Sequence, residues 1–152
     1  MREKLDAIWQ AFENADARGR RLLSTVPDKL LFASSGLRGR QSVGEHLIRS
    51  AAVVEQTFGG ITTRLWDDPF EWTLPETLFD RAAITEYFDE VAVTRNEGFK
   101  FFESDDTLLR EIPSPVAMRS LDVILNETLD RAAFHHDRAD EILRSLITPA
   151  AD

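Results

Sequence analysis

The chain of 152 residues has no cysteine, only seven glycines and six prolines, and no long run of apolar residues. Without cysteine it can form no disulfide, thiolate nucleophile or cysteine-ligated zinc site. No apolar run approaches the roughly 20 residues that a membrane-spanning helix needs. The charged start Met1–Lys4 leads into an amphipathic pattern rather than the hydrophobic region of a signal peptide. These absences predict a cytoplasmic protein with no membrane partner.

Positive charge is also scarce, with 18 Lys and Arg against 27 Asp and Glu and a formal net charge of -9. Such a balance works against a broad face that neutralises a phosphate backbone, so we expect no nucleic-acid partner. A chain of about 150 residues buries roughly 68–70% of the surface it exposes when unfolded, which is enough for one real core. We therefore predict a single folded domain over residues 1–152.

Apolar residues recur at helical spacing in four segments. The first runs from Leu5 to Leu23, and the second follows Ser42, which forms a capping-box pattern with Glu45 and should stop at Gly59-Gly60. The third follows Asp80 and extends to about Ser104. The fourth follows Ser120, and its predicted inner face is Leu121, Leu125, Thr128, Ala132, His135, Ala139, Ile142 and Leu146.

No segment shows the alternation of a β-strand, and residues 61–79 show only a short helical extension followed by a connection. Four amphipathic helices of this length bury their apolar faces only against each other. The sequence therefore predicts an all-α four-helix bundle. Long connections are expected after helix one and between helices two and three, so not every pair of consecutive helices forms a simple hairpin.

Only three histidines exist, His46 on the predicted second helix and His135 and His136 on the fourth. Imidazoles on facing helices are common metal ligands in a bundle core. Adjacent helical residues point about 100° apart, so His135 and His136 cannot easily share one metal. The alternative is one partly buried histidine and one histidine at the surface, with no ligand role.

Two stretches of the sequence resemble the DinB/YfiT-like family. The run Gly36–Leu47 (GLRGRQSVGEHL), continued by Ala52–Glu55, resembles the start of that family's second helix. Leu108-Leu109, Ile112-Pro113, Ser120-Leu121 and Phe134–His136 resemble its last loop and helix. The resemblance implies a four-helix bundle, frequent homodimers and a divalent metal held by one histidine of helix two and two of helix four. It also implies an enzymatic activity, that of a transferase or isomerase that uses a low-molecular-weight thiol such as mycothiol or bacillithiol.

The family's ligand positions fall on unsuitable residues here. By position, the helix-two ligand becomes Arg49, with His46 one turn earlier. Helix four has two ligand positions in the family. If His135 occupies the later position, the earlier position falls on Arg131; if His136 occupies it, the earlier position falls on Ala132. A guanidinium stays protonated and offers no lone pair to a metal. We therefore expect a degenerate metal site.

A rearranged site is a second hypothesis. His46 and His135 with a carboxylate, Glu127 or Asp140, would give mixed nitrogen and oxygen ligation acceptable to Zn, Ni or Mn. A third hypothesis makes Arg49 and Arg131, with His136, a pocket that binds a carboxylate or phosphate. Against it, the apolar face of helix two places Arg49 on the solvent side, where it would be an ordinary surface charge.

Three functions follow from these alternatives. The favoured one is a small-molecule binding protein, for an anion, or a non-catalytic relative of the family. The second is a metal-dependent transferase or isomerase with His46 and His135 as ligands and a small thiol as co-substrate. The third is a structural homodimer that interacts through a flat helical face.

Overall fold

The computed structural model describes residues 1–33, 41–69 and 77–147. In these ranges it contains four long helices: α1 Glu3–Thr25, α2 Val43–Thr63, α3 Arg81–Phe99 and α4 Leu121–Ile147. α2 packs most extensively against α4 and also packs against α3, while α1 packs against both α3 and α4. The predicted all-α, four-helix architecture is confirmed. None of the helices in the described ranges is both long and apolar enough for a bilayer crossing.

The three predicted N-terminal caps are present. Ser42 Oγ accepts a hydrogen bond from the backbone N–H of Glu45 at 3.2 Å. Asp80 Oδ1 accepts from Ala83 N–H at 2.7 Å, and Ser120 Oγ accepts from Val123 N–H at 3.2 Å. Each cap satisfies one of the N–H groups that a helix start leaves without an intrahelical partner. The starts of α2, α3 and α4 are thus fixed by local sequence.

The predicted stop of α2 at Gly59-Gly60 is wrong, because the helix continues to Thr63. A Cβ added at Gly60 would overlap the indole ring of Trp66. The glycine therefore serves close packing of a ring on the helix rather than termination. The predicted extension of α3 to Ser104 is also too long, since α3 ends at Phe99.

A small hairpin contradicts the expectation of no strand. β1 Glu111–Pro113 pairs antiparallel with β2 Met118–Ser120, and Ile112 lies opposite Arg119. Strands of three residues are too short to show a period of two, which is why the sequence gave no alternation. The hairpin leads directly into α4 at Leu121 and places the segment Ser114–Ala117 beside that helix.

Both ends of α1 are stabilised by residues far away in sequence. Asp105 accepts hydrogen bonds from the backbone N–H groups of Leu5 at 3.0 Å and Lys4 at 3.3 Å, and these bonds lower the pKa of its carboxyl. At the other end, the guanidinium of Arg81 donates to the carbonyls of Leu23 and Val26. Both ends of α1 are therefore capped by tertiary contacts, which local sequence does not reveal.

A cluster of four phenylalanines lies in the core, among the apolar faces of all four helices. Phe12, Phe58 and Phe99 form a triangle with ring centroids 5.3 to 5.8 Å apart, and Phe102 lies 5.3 Å from Phe99. Edge-to-face and tilted contacts of this kind suit the charge distribution of aromatic rings.

The two long connections that the sequence predicts follow α1 and α2. Residues 34–40 of the first and 70–76 of the second lie outside the described residues. The same holds for Gly36–Arg40, which belong to the stretch that resembles the family, and for Trp72.

Candidate functional site

Two of the three histidines meet where α2 packs against α4, a contact we call the α2–α4 seam. The Nδ1 atoms of His46 and His135 lie 3.0 Å apart, and the ring centroids are 5.3 Å apart with a 36° tilt. One ring must donate N–H and the other must accept, because two lone pairs or two protons would repel. His46 is buried and His135 is half-buried. The pair therefore shares one proton along this bond.

One arginine from each of the two helices affects the pKa of His135 in this pair. Burial, followed by the charge of neighbouring His46 and of two arginines, lowers the pKa of His135 to about 4. These arginines are Arg49 on α2 and Arg131 on α4. The imidazole of His135 is consequently neutral at pH 7. Four of the five sequence-predicted site residues thus belong to α2 and α4 and interact at the α2–α4 seam.

The fifth predicted residue, His136, lies elsewhere. It is 3% exposed and lines a separate cavity of about 30 Å³ in the middle of the bundle, together with Arg95. Burial, with a smaller effect from the charge of Arg18, lowers the pKa of His136 to about 4. The sequence analysis placed His135 on the inner face of α4, but the buried histidine of this helix is His136. At this point the inner face is therefore shifted by one residue from the predicted one.

The rearranged metal site does not form. Glu127 pairs with Arg119, and Asp140 pairs with Arg144 at 3.0 Å, so both carboxylates are engaged by arginines. Within residues 1–33, 41–69 and 77–147, no three His, Asp or Glu side chains converge as a metal site would need. Two imidazoles with two guanidinium groups nearby do not fit a divalent cation, because three protein ligands are usual and positive neighbours repel the ion.

A cavity of about 260 Å³ adjoins the α2–α4 seam and is closed on one side by the hairpin tip. Arg131 lines it, and its guanidinium contacts the side-chain oxygen of Gln56 at 3.4 Å. Among the described residues, no carboxylate lies within 4.0 Å of Arg131. Arg119 and Glu127 also line the cavity and neutralise each other. The described walls therefore carry one uncompensated positive charge.

Sequence reasoning missed several residues of this cavity. Gln56, Arg119 and the hairpin tip around Pro115 were not singled out. Thr57 and Thr128 meet across the α2–α4 seam with Oγ1 atoms 2.6 Å apart. The one signal for this polar contact in the sequence was Thr128 on the predicted inner face of α4. A hydroxyl group that is buried there needs a hydrogen-bond partner.

Neither a protein-family model nor a curated protein sequence matches this chain. The chemistry of the site therefore rests on its residues and their geometry. The arrangement offers an exposed guanidinium and a cavity that a small molecule can enter, which are features of anion recognition.

Proposed function

We propose that this protein binds a small carboxylate or phosphate anion in the 260 Å³ cavity beside the α2–α4 seam. The observation that carries the proposal is Arg131, an exposed guanidinium that lines the cavity with no described carboxylate within 4.0 Å. Guanidinium groups bind carboxylate and phosphate through two parallel charge-assisted hydrogen bonds. Gln56 adds a polar side chain to the same wall. A dicarboxylate or a phosphate monoester matches this chemistry.

We also propose that the chain is a DinB/YfiT-like bundle whose metal centre is replaced by a cationic cluster. Support comes from the helix order, from the Ser42 cap at the start of α2, and from the proximity of Arg49, Arg131 and His135. These three residues occupy the positions that the resemblance assigns to metal ligands. A permanent positive charge there can perform one task of the metal, attraction of an anion, without its chemistry. We propose no catalytic step for the chain.

The experiment is a thermal-unfolding titration with succinate and with inorganic phosphate, each against sodium chloride at equal ionic strength. A ligand at 100 times its Kd stabilises the folded state by about 2.7 kcal/mol, which raises Tm by several degrees. Arg131→Gln should abolish the rise. The matched control is Arg144→Gln, which removes an exposed arginine from the same helix but outside the cavity. An absence of any rise, or a rise retained in Arg131→Gln, would refute the proposal.

A metal-dependent transferase is the second candidate, and one distance favours it. The His46 and His135 nitrogens are 3.0 Å apart, and two nitrogens bound to one zinc at about 2.0–2.1 Å each lie roughly 3 Å apart. Because the rest of the donor set does not fit, we propose no metal chemistry here. Stoichiometric zinc, nickel or manganese in tag-free protein, lost in His135→Ala, would reverse this conclusion.

The resemblance further supports a homodimer, and we include it in the proposal together with the cytoplasmic location that the sequence analysis predicts. Sedimentation velocity over a tenfold range of protein concentration tests the first, and cell fractionation tests the second. A dimer that shows neither an anion-dependent rise in Tm nor bound metal would favour the interaction module over the binding protein.

A further inference from the structure

A second cavity lies at the end of the bundle where α2 and α3 end and α4 begins. Its volume is about 220 Å³, and its walls include Ile61 and Arg64 from the end of α2, Phe101 and Phe102 after α3, and Arg110 and Ile112 from the segment before α4. We call it the Arg64 cavity. It shares no lining residue with the cavity beside the α2–α4 seam. The inference below does not rest on the proposed function.

The charge of the Arg64 cavity is entirely positive in the part of the chain that the structure describes. Arg64 and Arg110 both line it, and no Asp or Glu is among its described lining residues. Neither arginine has a described carboxylate within 4.0 Å. In a chain with 27 acidic residues, two arginines without a carboxylate partner in one cavity leave a local excess of positive charge.

The backbone of Arg64 adds an independent observation. Arg64 follows the last residue of α2 with φ 64° and ψ 15°, the left-handed conformation that helix ends usually give to glycine. It is the single non-glycine residue with positive φ in the described ranges. The side chain at this position lies on the cavity wall at the expense of backbone strain.

The remaining walls are apolar and aromatic. Phe101 is 73% exposed, while Phe102, the next residue, belongs to the core. A cavity of about 150 Å³ lined by apolar side chains can hold a benzene molecule. A volume of about 220 Å³ therefore accommodates one aromatic ring together with a small charged group.

We infer that the Arg64 cavity binds an aromatic carboxylate, with the ring against Phe101 and Phe102 and the carboxylate on Arg64 and Arg110. The ring would cover the exposed face of Phe101 in a stacked or edge-on contact. The carboxylate would supply a counter-charge that neither guanidinium receives from the described residues. A hydrogen bond to a charged group contributes about 1.5–3 kcal/mol, which corresponds to roughly 10- to 100-fold in Kd for each arginine.

Phenylacetate is the probe, and benzyl alcohol is its neutral counterpart. Binding is followed by backbone amide shifts in two-dimensional NMR and by calorimetry on the full chain. Phenylacetate should perturb the amides of Thr62, Phe101 and Thr107, which line or flank the ring site. Benzyl alcohol should bind at least about tenfold more weakly, because it lacks the carboxylate.

Arg64→Gly separates loss of binding from loss of folding. Glycine adopts positive φ without strain, so this variant should unfold at a higher temperature than the original chain while its phenylacetate Kd rises at least about tenfold. Arg110→Gln should weaken binding similarly. The control is Arg21→Gln, which removes an exposed arginine of α1 that lies outside the described walls of the cavity and should leave the Kd unchanged.

Three results would overturn the inference. The first is equal affinity for phenylacetate and benzyl alcohol, which would reduce the cavity to an apolar cleft. The second is an unchanged Kd in Arg64→Gly. The third is a set of amide shifts centred on Thr57 and Thr128, which would place the ligand in the cavity beside the α2–α4 seam instead. Arg131→Gln should not affect phenylacetate binding, so failure here and failure of the proposed function are distinguishable.

Discussion

Two of the helix contacts that carry polar side chains differ in the charges that meet. Where α1 packs against α3, opposite charges are paired: Arg95 with Glu13 at 3.1 Å and Arg20 with Asp89 at 2.7 Å. At the α2–α4 seam, imidazole meets imidazole at 3.0 Å, with two arginines close by. The first contact neutralises itself within the chain, and the second leaves positive charge exposed to a cavity.

This difference separates a structural role from a binding role. Arg95 is 2% exposed, so its charge must be compensated inside the protein, and Glu13 compensates it. Arg131 is exposed and can be compensated by solvent or by a ligand. Charge alone therefore does not mark a functional residue. The informative features are the absence of an internal partner and the presence of a cavity that an external partner can reach.

The largest effect is expected where the contact between α1 and α3 is broken. Glu13→Ala leaves the buried guanidinium of Arg95 without its carboxylate. We expect a cost of about 3 kcal/mol, the low end for a buried pair, because the side chain of Glu13 is 33% exposed. Urea denaturation measures this loss. The control is Asp89→Ala, which removes an exposed partner from the same contact and should cost less than about 1 kcal/mol. Equal losses in both variants would show that burial of Arg95 does not set the energetics.

A smaller effect is expected from acid. In the unfolded chain histidine binds a proton near pH 6.5, whereas burial lowers the pKa of His136 to about 4 in the folded protein. Between these values the unfolded chain holds more protons, so the free energy of unfolding should fall as the pH falls from 6.5 to 4. His136 should account for roughly 2–3 kcal/mol of this loss, and the half-buried His135 for less.

Denaturant titrations at pH 7 and pH 4.5 test this assignment, with His136→Leu as the comparison. The variant cannot take up a proton at this position, so its loss of stability between the two pH values should be clearly smaller. Carboxylate titration is common to both proteins and cancels in the difference. An identical loss in both proteins would mean that His136 is protonated in the folded state without penalty.

The sequence was sufficient for the helices because their periodicity and caps are local. Ser42, Asp80 and Ser120 were each predicted to start a helix, and each accepts the expected backbone hydrogen bond. The capping of α1 by Asp105 and Arg81 was not predictable, because it depends on contacts between residues at least 53 positions apart. The hairpin was not predictable either, because its strands have only three residues.

The candidate site was predictable in part. The three histidines are few enough to be noticed, and the resemblance directed attention to Arg49 and Arg131. Periodicity misassigned His135 and His136, because a long helix drifts relative to a strict alternation of four and three residues and adjacent positions can exchange roles. The Arg64 cavity could not be predicted, because its walls come from four separate segments and Arg64 takes a backbone conformation that sequence seldom signals.

An intermediate effect is expected at the neutral part of the α2–α4 seam. Thr128 Oγ1 donates to the carbonyl of Ile124 at 2.8 Å, so the 2.6 Å contact with Thr57 requires the Thr57 hydroxyl to donate. Thr128→Val then leaves a buried donor unsatisfied and should cost about 1–2 kcal/mol, whereas Thr57→Val leaves Thr128 still bonded and should cost less than about 1 kcal/mol. A double-mutant cycle in urea measures the coupling, and the reverse order would contradict this assignment of the proton.

The smallest effect is expected from removal of one charge at the α2–α4 seam. Arg131 contributes to the lowered pKa of His135, after burial, His46 and Arg49, so Arg131→Gln should raise that pKa while Arg144→Gln should not. NMR titration of the imidazole signals measures the change, and added salt should reduce it because Arg131 is exposed. A rise in the pKa of His135 that is seen only at low salt would show that the positive potential of the α2–α4 seam extends into solvent, where an anion would encounter it. An unchanged pKa would show that water already screens the charge of Arg131.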